Sequence, residues 1–355
     1  MAPTQTQPSP ASALVAIALA AFEPKPRFFA QQLQSLVDQT HKNWVCVITF
    51  DSSMAEALRN QSIKKFTRDK RFIWRQNRRR LGFAKNFQRA MMLSLRYRPY
   101  AIAFCDQDDV WLPAKLQTSL DALQARPPRS LVHCDANVVS QNLQLLAPSN
   151  WAFWSPDQHA ASVRHLLLKP TVVGASAMFD AQLARISLRV PVPPNTPHDY
   201  RVSLVAGLYG GVYPIHQQLY LYRQHAGNVF GVPKFRKDAA TRGNVTSEIT
   251  WSIRGLATKM RTIHKQVQRG CDRFEKMKVL AHGISGETRW GRLYRSHAFL
   301  VMLFLGSAVE YALRGKGAQS ALTMSMYGIL SLFRRSSLKR RLRLSRQRSA
   351  PRRRS

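Results

Sequence analysis

Short apolar runs of strand length recur along the first 134 residues of this chain and alternate with stripes of helical spacing. The predicted strands cover residues 14–19, 44–50, 71–75, 100–105 and 131–134. Strand–helix alternation of this kind predicts an α/β domain with a mostly parallel, Rossmann-like sheet flanked by helices. Ligands of such sheets bind at the carboxyl ends of the strands, so the residues that follow each run are the first candidates for a functional site.

Amphipathic stripes supply the helices between these strands, because their apolar residues recur every three or four positions. The stripes are Phe29, Leu33 and Leu36; Phe83, Phe87, Ala90 and Met91; and Leu112, Leu116, Leu120 and Leu123. Two later runs, 171–179 and 211–222, are also predicted strands, and a Pro-rich loop at 191–197 separates them. The sheet is therefore expected to continue well beyond residue 134.

The N-terminal segment admits two interpretations. Residues 1–12 are rich in Pro, Gln and Ser and are predicted to be disordered. Residues 11–22 have the apolar character of a signal-peptide core, but no Lys or Arg precedes Lys25. A buried first strand is therefore favoured over an export signal. The four Cys form no CxxC pair, which disfavours a disulfide framework or a zinc ribbon and points to a reducing cytosol.

The formal net charge is +35, from 54 Lys and Arg against 19 Asp and Glu. Eleven of the cations lie in residues 334–355, and the remainder of the chain still carries +24. Such a balance predicts anionic partners, namely phosphate-bearing substrates, anionic lipid or nucleic acid. It does not choose among them, but it makes any cluster of acids conspicuous.

The conspicuous cluster is Asp106-Gln107-Asp108-Asp109, directly after the apolar run at 100–105. Carboxylates this close repel one another when ionised, and a divalent cation relieves the repulsion while attracting phosphate oxygens. The alternative is a helix cap, because Asp109 could begin the helix that contains Lys115. Capping explains one Asp and not three, so the spacing favours a metal–phosphate site.

Five segments together resemble the inverting family 2 glycosyltransferases of the rhamnosyltransferase-like type. The first is FCDQDDVWLPAKL at 104–116, which is close to the family's S-D-Q-D-D-[IV]-W-x-P-x-K signature. The others are QQLQSLVDQTHKNW at 31–44, NRRRLGFAKNFQRAM at 77–91, HDY at 198–200 and LYRQHAGNVFG at 221–231. Their order and spacing agree with the family over about residues 13–232. The resemblance implies a GT-A fold, a Mg²⁺ or Mn²⁺ ion and a dTDP- or UDP-linked sugar donor.

The resemblance also implies roles for individual residues. Asp199 would be the general base, and either Asp108 or Asp109 would bind the metal directly, with His225 as a further ligand. The donor would be held by residues around the same cleft, namely Asp51, Asp106, Lys85, Asn86 and Arg223. Each role has an alternative: Asp199 could cap a helix, His225 could be a surface histidine, Arg223 could belong to a cationic face, and Lys85 and Asn86 could lie on a helix surface.

The sequence departs from the family pattern at two strand ends. Glu23 stands where the first strand usually ends in Asn, and Asp51-Ser52-Ser53 replaces the usual D-D-G-S. Both changes lie in the expected base- and ribose-binding region, so they bear on the identity of the nucleotide or on the level of activity. Tyr200 replaces the Trp of the H-D-W element.

The C-terminal third is expected to be helical over 245–333, followed by a basic disordered tail at 334–355. Its apolar stretches near 298–313 and 318–333 are shorter or more polar than a membrane span requires. A helical hairpin against the catalytic domain and interfacial membrane helices are both compatible with the pattern. The tail favours attachment to an anionic surface, which predicts a cytoplasmic protein, peripheral on the inner face of the membrane.

These observations favour a metal-dependent, inverting glycosyltransferase that acts on a surface-polysaccharide or lipid-linked acceptor, with rhamnose as a candidate sugar. The alternatives are a basic nucleic-acid-binding protein, a non-catalytic glycosyltransferase-like scaffold and, more weakly supported, a nucleotidyltransferase. The clustered acids and the lack of a recognisable nucleic-acid motif disfavour the first alternative. The altered strand ends motivate the second.

Overall fold

A computed structural model describes residues 13–154, 166, 171–190, 196–225 and 228. By its internal contacts the chain divides into two units, Met1–Asn244 and Val245–Ser355, and every described residue belongs to the first. The predicted disordered N-terminus at 1–12, the helical region at 245–333 and the basic tail at 334–355 lie outside the described residues.

The first half of the sheet is parallel, and its inner strands are covered on both faces. Its strands run in the order β3-β2-β1-β4, and all three of their pairings are parallel. They are β1 (Val15–Ala21), β2 (Trp44–Phe50), β3 (Phe72–Gln76) and β4 (Ala101–Cys105). Every residue of β2 and β4 is buried, as expected for strands with helices on both faces. The predicted α/β class is confirmed.

Two long helices cover this half. One is α1 (Pro26–Val37), which begins at a proline and buries Phe29 edge-on against Phe50 of β2. The other is α4 (Phe83–Ser94), which places Phe87 against Phe104 of β4. The short helices α2 (Met54–Ala57) and α3 (Gln61–Lys64) lie between β2 and β3 in the chain. Because the strand order changes direction after β1, right-handed crossovers place α1 and α4 on opposite faces.

The second half of the sheet is mixed, which the sequence pattern did not predict. Its strands are β5 (Val110–Trp111), β6 (Leu131–Val139), β7 (Leu145–Ala147), β8 (Ala177–Asp180) and β9 (Val212–Arg223). Only β6 and β9 pair in parallel, whereas β8 runs antiparallel to both β4 and β6. The strand expected at 171–179 begins only at Ala177, because residues 174–176 form a 3-10 turn.

Four further helices complete the described part of the unit. They are α5 (Lys115–Gln124), α6 (Trp151–Trp154), α7 (Ala181–Arg189) and α8 (His198–Leu208). The Pro-rich loop predicted at 191–197 falls mostly outside the described residues, and α8 begins just after it. After β1 the chain continues to β2 on one side, and after β4 it continues toward the opposite side of the sheet. A crevice is therefore expected between the carboxyl ends of β1 and β4.

In the part of the chain that the structure describes, none of the helices combines the length and the apolar character that a membrane span requires.

Candidate functional site

The predicted site residues come from five elements that meet at the carboxyl edge of the parallel strands. Asp51 directly follows β2, and Asp106 directly follows β4. Asp199 lies in the first turn of α8, and Arg223 is the last residue of β9. The acid cluster connects β4 to the two-residue strand β5, which pairs antiparallel with β9 and so brings residues 108–109 beside residues 223–225.

Asp108 and His225 form a close pair at this edge. The Asp108 Oδ2 atom lies 2.8 Å from His225 Nε2, and the two side chains are 18% and 6% exposed. The imidazole packs against the ring of Phe28 in α1, with a centroid distance of 5.3 Å. The partly exposed carboxylate and the imidazole beside it are thus brought together, as the sequence resemblance implied.

Asp109 does not share this position. Its side chain is fully buried, and Oδ1 accepts a hydrogen bond of 3.0 Å from the backbone N–H of Arg223. Oδ2 is also buried and has no hydrogen-bond partner among the described residues. Burial, together with the charges of Asp108 and Asp106, raises the pKa of Asp109 well above its usual value. The Asp109 carboxyl is thus enclosed by the protein, whereas that of Asp108 is partly exposed. Which of the two binds the metal directly stays a prediction.

Asp106 links the two parts of the site electrostatically. Its pKa is raised to about 7, first by burial and then by the negative charges of Asp108 and Asp199. The Asp106 carboxyl group therefore interacts electrostatically both with Asp108, the predicted metal ligand, and with Asp199, the predicted base. Asp106 is thus repelled by two other carboxyl groups, an arrangement that a cation or a protonated ligand would stabilise.

Asp199 projects from the start of α8 and is half-buried. Its Oδ1 atom accepts a hydrogen bond of 2.7 Å from the Tyr200 N–H, and the Gly174 N–H also donates to the carboxylate. Burial nevertheless raises the pKa of Asp199 to about 6. The N-cap position of α8 is Pro197, which makes no side-chain capping bond. Asp199 is thus not the N-cap residue, although its charge lies near the positive end of the helix.

The Asp51 carboxylate accepts hydrogen bonds from the loop at residues 77–82. Its Oδ1 accepts hydrogen bonds from the Asn77 side chain and the Leu81 N–H, and its Oδ2 accepts one of 2.7 Å from the Gly82 N–H. Gly82 has φ = 82°, a left-handed conformation that favours glycine. The carboxylate therefore shapes the loop at 77–82 against the end of β2. Nucleotide binding by Asp51 stays a prediction.

The two residues predicted on α4 have different surroundings. Lys85 is exposed on the helix surface. Asn86 is buried, and its side chain donates to the carbonyls of Ala21 and Thr49 and accepts from Asn77 Nδ2. The Asn86 amide thus joins the ends of β1 and β2. Donor contacts by Lys85 and Asn86 stay predictions.

The Arg223 side chain also forms its hydrogen bonds with other residues of the protein. The side chain is fully buried, and its Nε donates to the Asp108 carbonyl at 2.6 Å. One terminal nitrogen donates to the Gln141 carbonyl and the other to Gln31 Oε1, each at 2.8 Å. The guanidinium also lies 4.4 Å from the centre of the Phe28 ring. Arg223 thus joins the loop of residues 106–109, the acid loop, to α1 and to the β6–β7 turn. Its pairing with phosphate stays a prediction.

Gln107 is a residue whose role the sequence did not reveal. Its side-chain amide forms two hydrogen bonds with the backbone of Phe22, of 2.8 and 3.1 Å, at the end of β1. The Arg80 guanidinium lies 4.2 Å from the centre of the Phe22 ring. The only available signal was the position of Gln107 between two functional acids, and that position does not identify its partner.

The residues present fit a divalent cation at Asp108. A carboxylate with an imidazole 2.8 Å away and a second carboxyl at Asp106 offers oxygen and nitrogen ligands of the kind that Mg²⁺ and Mn²⁺ accept. Among the described residues, no three or more His, Cys, Asp or Glu side chains are arranged so that they could hold a metal ion by themselves. The remaining ligands would come from substrate phosphates and water, which is how Mg²⁺ is commonly bound.

Comparison with known proteins finds similarity to glycosyltransferases. Residues 23–181 match the family model described as Glycosyl transferase family 2. The chain is 26% identical over 110 residues to a bifunctional glycosyltransferase, pgtA, of Dictyostelium discoideum, a match that covers 31% of this chain and 14% of that protein. It is 23% identical over 181 residues to an uncharacterized glycosyltransferase of Methanocaldococcus jannaschii, covering 48% of this chain and 61% of that protein. The chain thus spans less than two thirds of either relative.

Solved structures show distant similarity. A crystal structure of S. aureus TarS 1-349 in complex with UDP has a TM-score of 0.48 and 12% identity, covering 81% of this chain and 70% of that one. The mannosyltransferase PcManGT from Pyrobaculum calidifontis, in complex with GDP-Man and Mn²⁺, has a TM-score of 0.45 and 15% identity, with coverages of 93% and 89%. Both TM-scores are below 0.5.

Proposed function

We propose that this chain, which carries a family 2 glycosyltransferase domain of GT-A fold, is an inverting, metal-dependent enzyme that transfers a sugar from a nucleotide-sugar donor. The donor would be a dTDP- or UDP-linked sugar, with rhamnose as a candidate, and the acceptor a surface-polysaccharide or lipid-linked glycan. The observation that carries the proposal is the electrostatic link of Asp106 to both Asp108 and Asp199. This link supports a single site in which the donor diphosphate binds next to the acceptor hydroxyl.

Asp199 would act as the general base. Its carboxylate accepts the proton of an acceptor hydroxyl while that oxygen attacks the anomeric carbon of the donor. The bond from that carbon to the diphosphate oxygen breaks at the same time, and the nucleoside diphosphate leaves with the bonding electrons. Attack from the face opposite the leaving group inverts the anomeric configuration, and no enzyme nucleophile is needed.

Asp108 and His225 would hold the cation, with Asp106 facing the donor beside them. A bound divalent cation supplies positive charge that stabilises the diphosphate as it leaves. Arg223 and Gln107 keep the acid loop in place: Arg223 binds the Asp108 carbonyl, and Gln107 binds the end of β1. The protein's part in this half of the reaction is therefore to hold the carboxylates that accept the cation in a fixed geometry.

Donor turnover is the direct test of this proposal. The full-length protein would be incubated with a panel of nucleotide sugars, including dTDP-rhamnose and UDP-linked hexoses, with Mg²⁺, with Mn²⁺ or with EDTA. We expect release of nucleoside diphosphate from one donor, and we expect EDTA to abolish it. Absence of both metal-dependent turnover and donor binding for every sugar would contradict the proposal and favour the scaffold. Salt-sensitive binding of RNA or DNA in place of donors would favour the nucleic-acid-binding alternative.

We also propose that the basic tail attaches the enzyme to the cytoplasmic face of the membrane. The eleven Lys and Arg of residues 334–355 lie outside the described residues, so only their charge supports this role. Each Lys or Arg near an anionic leaflet contributes about 1 kcal/mol to binding. We expect deletion of 334–355 to reduce co-sedimentation with anionic liposomes at least tenfold. Neutral liposomes are the control, and unchanged co-sedimentation of the truncated chain would exclude this role for the tail.

A further inference from the structure

The residue before the predicted base is enclosed by aromatic rings. The His198 imidazole stacks on Phe87 with a centroid distance of 3.7 Å and an interplanar angle of 13°. It meets Phe104 edge-on at 4.6 Å and Phe83 at 6.1 Å. The side chain is only 7% exposed. The start of α8 is therefore attached to β4 and α4 through one rigid ring.

His198 packs as a neutral ring. Neither ring nitrogen has a hydrogen-bond partner among the described residues. Burial lowers the pKa of His198 to about 3, so the imidazole carries no charge near neutral pH. A group that is uncharged, enclosed and without a hydrogen-bonded partner does not exchange protons with a substrate. Its contribution to the site is its shape.

Gly174 closes the remaining side of this enclosure. A Cβ atom at position 174 would lie 2.7 Å from His198 Nε2 and 3.4 Å from Cε1, which is closer than real Cβ contacts allow. The same Cβ would lie 3.7 Å from the Cβ of Asp199, and the Gly174 N–H donates to the Asp199 carboxylate. One glycine thus contacts both the enclosed imidazole and the predicted base.

The turn that presents Gly174 is held firmly in place. The Val173 carbonyl accepts hydrogen bonds from the Ser176 N–H and from the Ser176 hydroxyl, the latter of 2.6 Å. The Cys134 thiol of β6 donates to the Ser176 carbonyl at 3.6 Å. A clash between a side chain at 174 and His198 would therefore be relieved mainly by movement of α8, and Asp199 would move with it.

We propose that Gly174 and His198 are positioning residues for Asp199: the absence of a side chain at 174 lets the imidazole fill its aromatic enclosure and lets the Gly174 N–H orient the carboxylate. This inference rests on the proposed function, because the orientation matters only if Asp199 is the base. It assigns a catalytic consequence to two residues that would not contact the reacting atoms. Displacement of a catalytic group by about 1 Å can lower a rate by a factor of about one hundred.

The test is Gly174→Ala in the full-length protein, measured with the donor identified for the wild type. We expect kcat for transfer to fall at least tenfold while the dissociation constant of the donor stays within twofold, because none of the hydrogen bonds described for the predicted donor residues involves the turn. Adding His198→Ala to this variant removes the clashing ring, so the double variant should recover part of the lost kcat. A crystal structure of Gly174→Ala should show the Asp199 carboxylate displaced.

Gly210→Ala is the matched control for general destabilisation. A Cβ at 210 would lie 2.5 Å from the Pro128 carbonyl oxygen, so this variant is also strained, but the contact involves none of the predicted site residues. We expect it to lower the melting temperature without the selective loss of kcat. Full kcat in Gly174→Ala would overturn the inference, as would an undisplaced Asp199. If the wild type transfers no sugar, the proposed function fails, and the structure of Gly174→Ala still decides whether this pair sets the position of Asp199.

Discussion

Replacing Asp199 by Asn is expected to lower the rate of sugar transfer about a thousandfold. The amide has nearly the same size as the carboxylate and can still accept from the Tyr200 and Gly174 N–H groups, so the fold should be retained. It cannot take a proton from the acceptor hydroxyl, and general-base catalysis typically contributes a factor of about 10²–10⁴. The measurement is kcat with saturating donor, together with the dissociation constant of the donor, which should change little.

The pH dependence separates loss of a base from loss of structure. Burial raises the pKa of Asp199 to about 6, so the carboxyl is protonated and inactive below that pH and ionised and active above it. In the wild type, kcat/KM should therefore rise with pH up to about 6 and level off beyond it, with a cation bound nearby moving the rise to lower pH. The residual activity of Asp199→Asn should lack this rise.

Asp121→Asn is the matched control for this substitution. Asp121 is an exposed acid on α5 and accepts one side-chain hydrogen bond, from Gln117. The control should keep the wild-type rate and pH profile, because the change is isosteric and remote from the predicted site residues. An Asp199→Asn enzyme with full activity would refute the assignment of the base.

The strands and helices of the parallel half were predictable because their signal is local. β2 coincides with its predicted range, and β1, β3 and β4 begin or end within two residues of theirs. The strands β1, β2 and β4 are buried on both faces and therefore appear in the sequence as mostly apolar runs, whereas the edge strand β3 ends in two exposed polar residues. The mixed half was not predictable in the same way. The antiparallel direction of β8 is set by its partners β4 and β6, and β5 has only two residues, too few for any periodicity.

For the site, the sequence predicted which residues lie close together better than it predicted the contacts of each side chain. The resemblance selected Asp108, His225 and Asp199, which the structure brings to one edge of the sheet. It could not distinguish Asp108 from the buried Asp109, because adjacent residues next to a strand point to opposite sides. The resemblance implied that Arg223 contacts the donor, whereas the hydrogen-bond partners of Arg223 in the structure come from distant parts of the chain that no local pattern reveals.

Replacing Arg223 by Gln is expected to destabilise the domain by about 3 kcal/mol or more. The substitution leaves the carbonyls of Asp108 and Gln141 and the Gln31 side chain, which are partly buried, without their charged donor, and each hydrogen bond to a charged group contributes about 1.5–3 kcal/mol. For a unit of this size, 1 kcal/mol corresponds to roughly 2–4 °C, so the melting temperature should fall by about 10 °C. Arg223→Lys keeps the charge but cannot donate to all three partners in the same geometry, so its melting temperature should lie between those of the wild type and Arg223→Gln.

The same pair of variants decides between a structural and a phosphate-binding Arg223. If the guanidinium is a structural link, Arg223→Gln lowers the melting temperature even in the absence of any nucleotide. The control Arg78→Gln, at an exposed arginine that follows β3, changes the melting temperature by less than about 1 °C. If the guanidinium instead binds the diphosphate, Arg223→Gln keeps the melting temperature and weakens donor binding selectively. Because the side chain is fully buried and donates from all three nitrogens, we expect the first result: the acid loop loses its shape and donor affinity falls as a consequence of that loss.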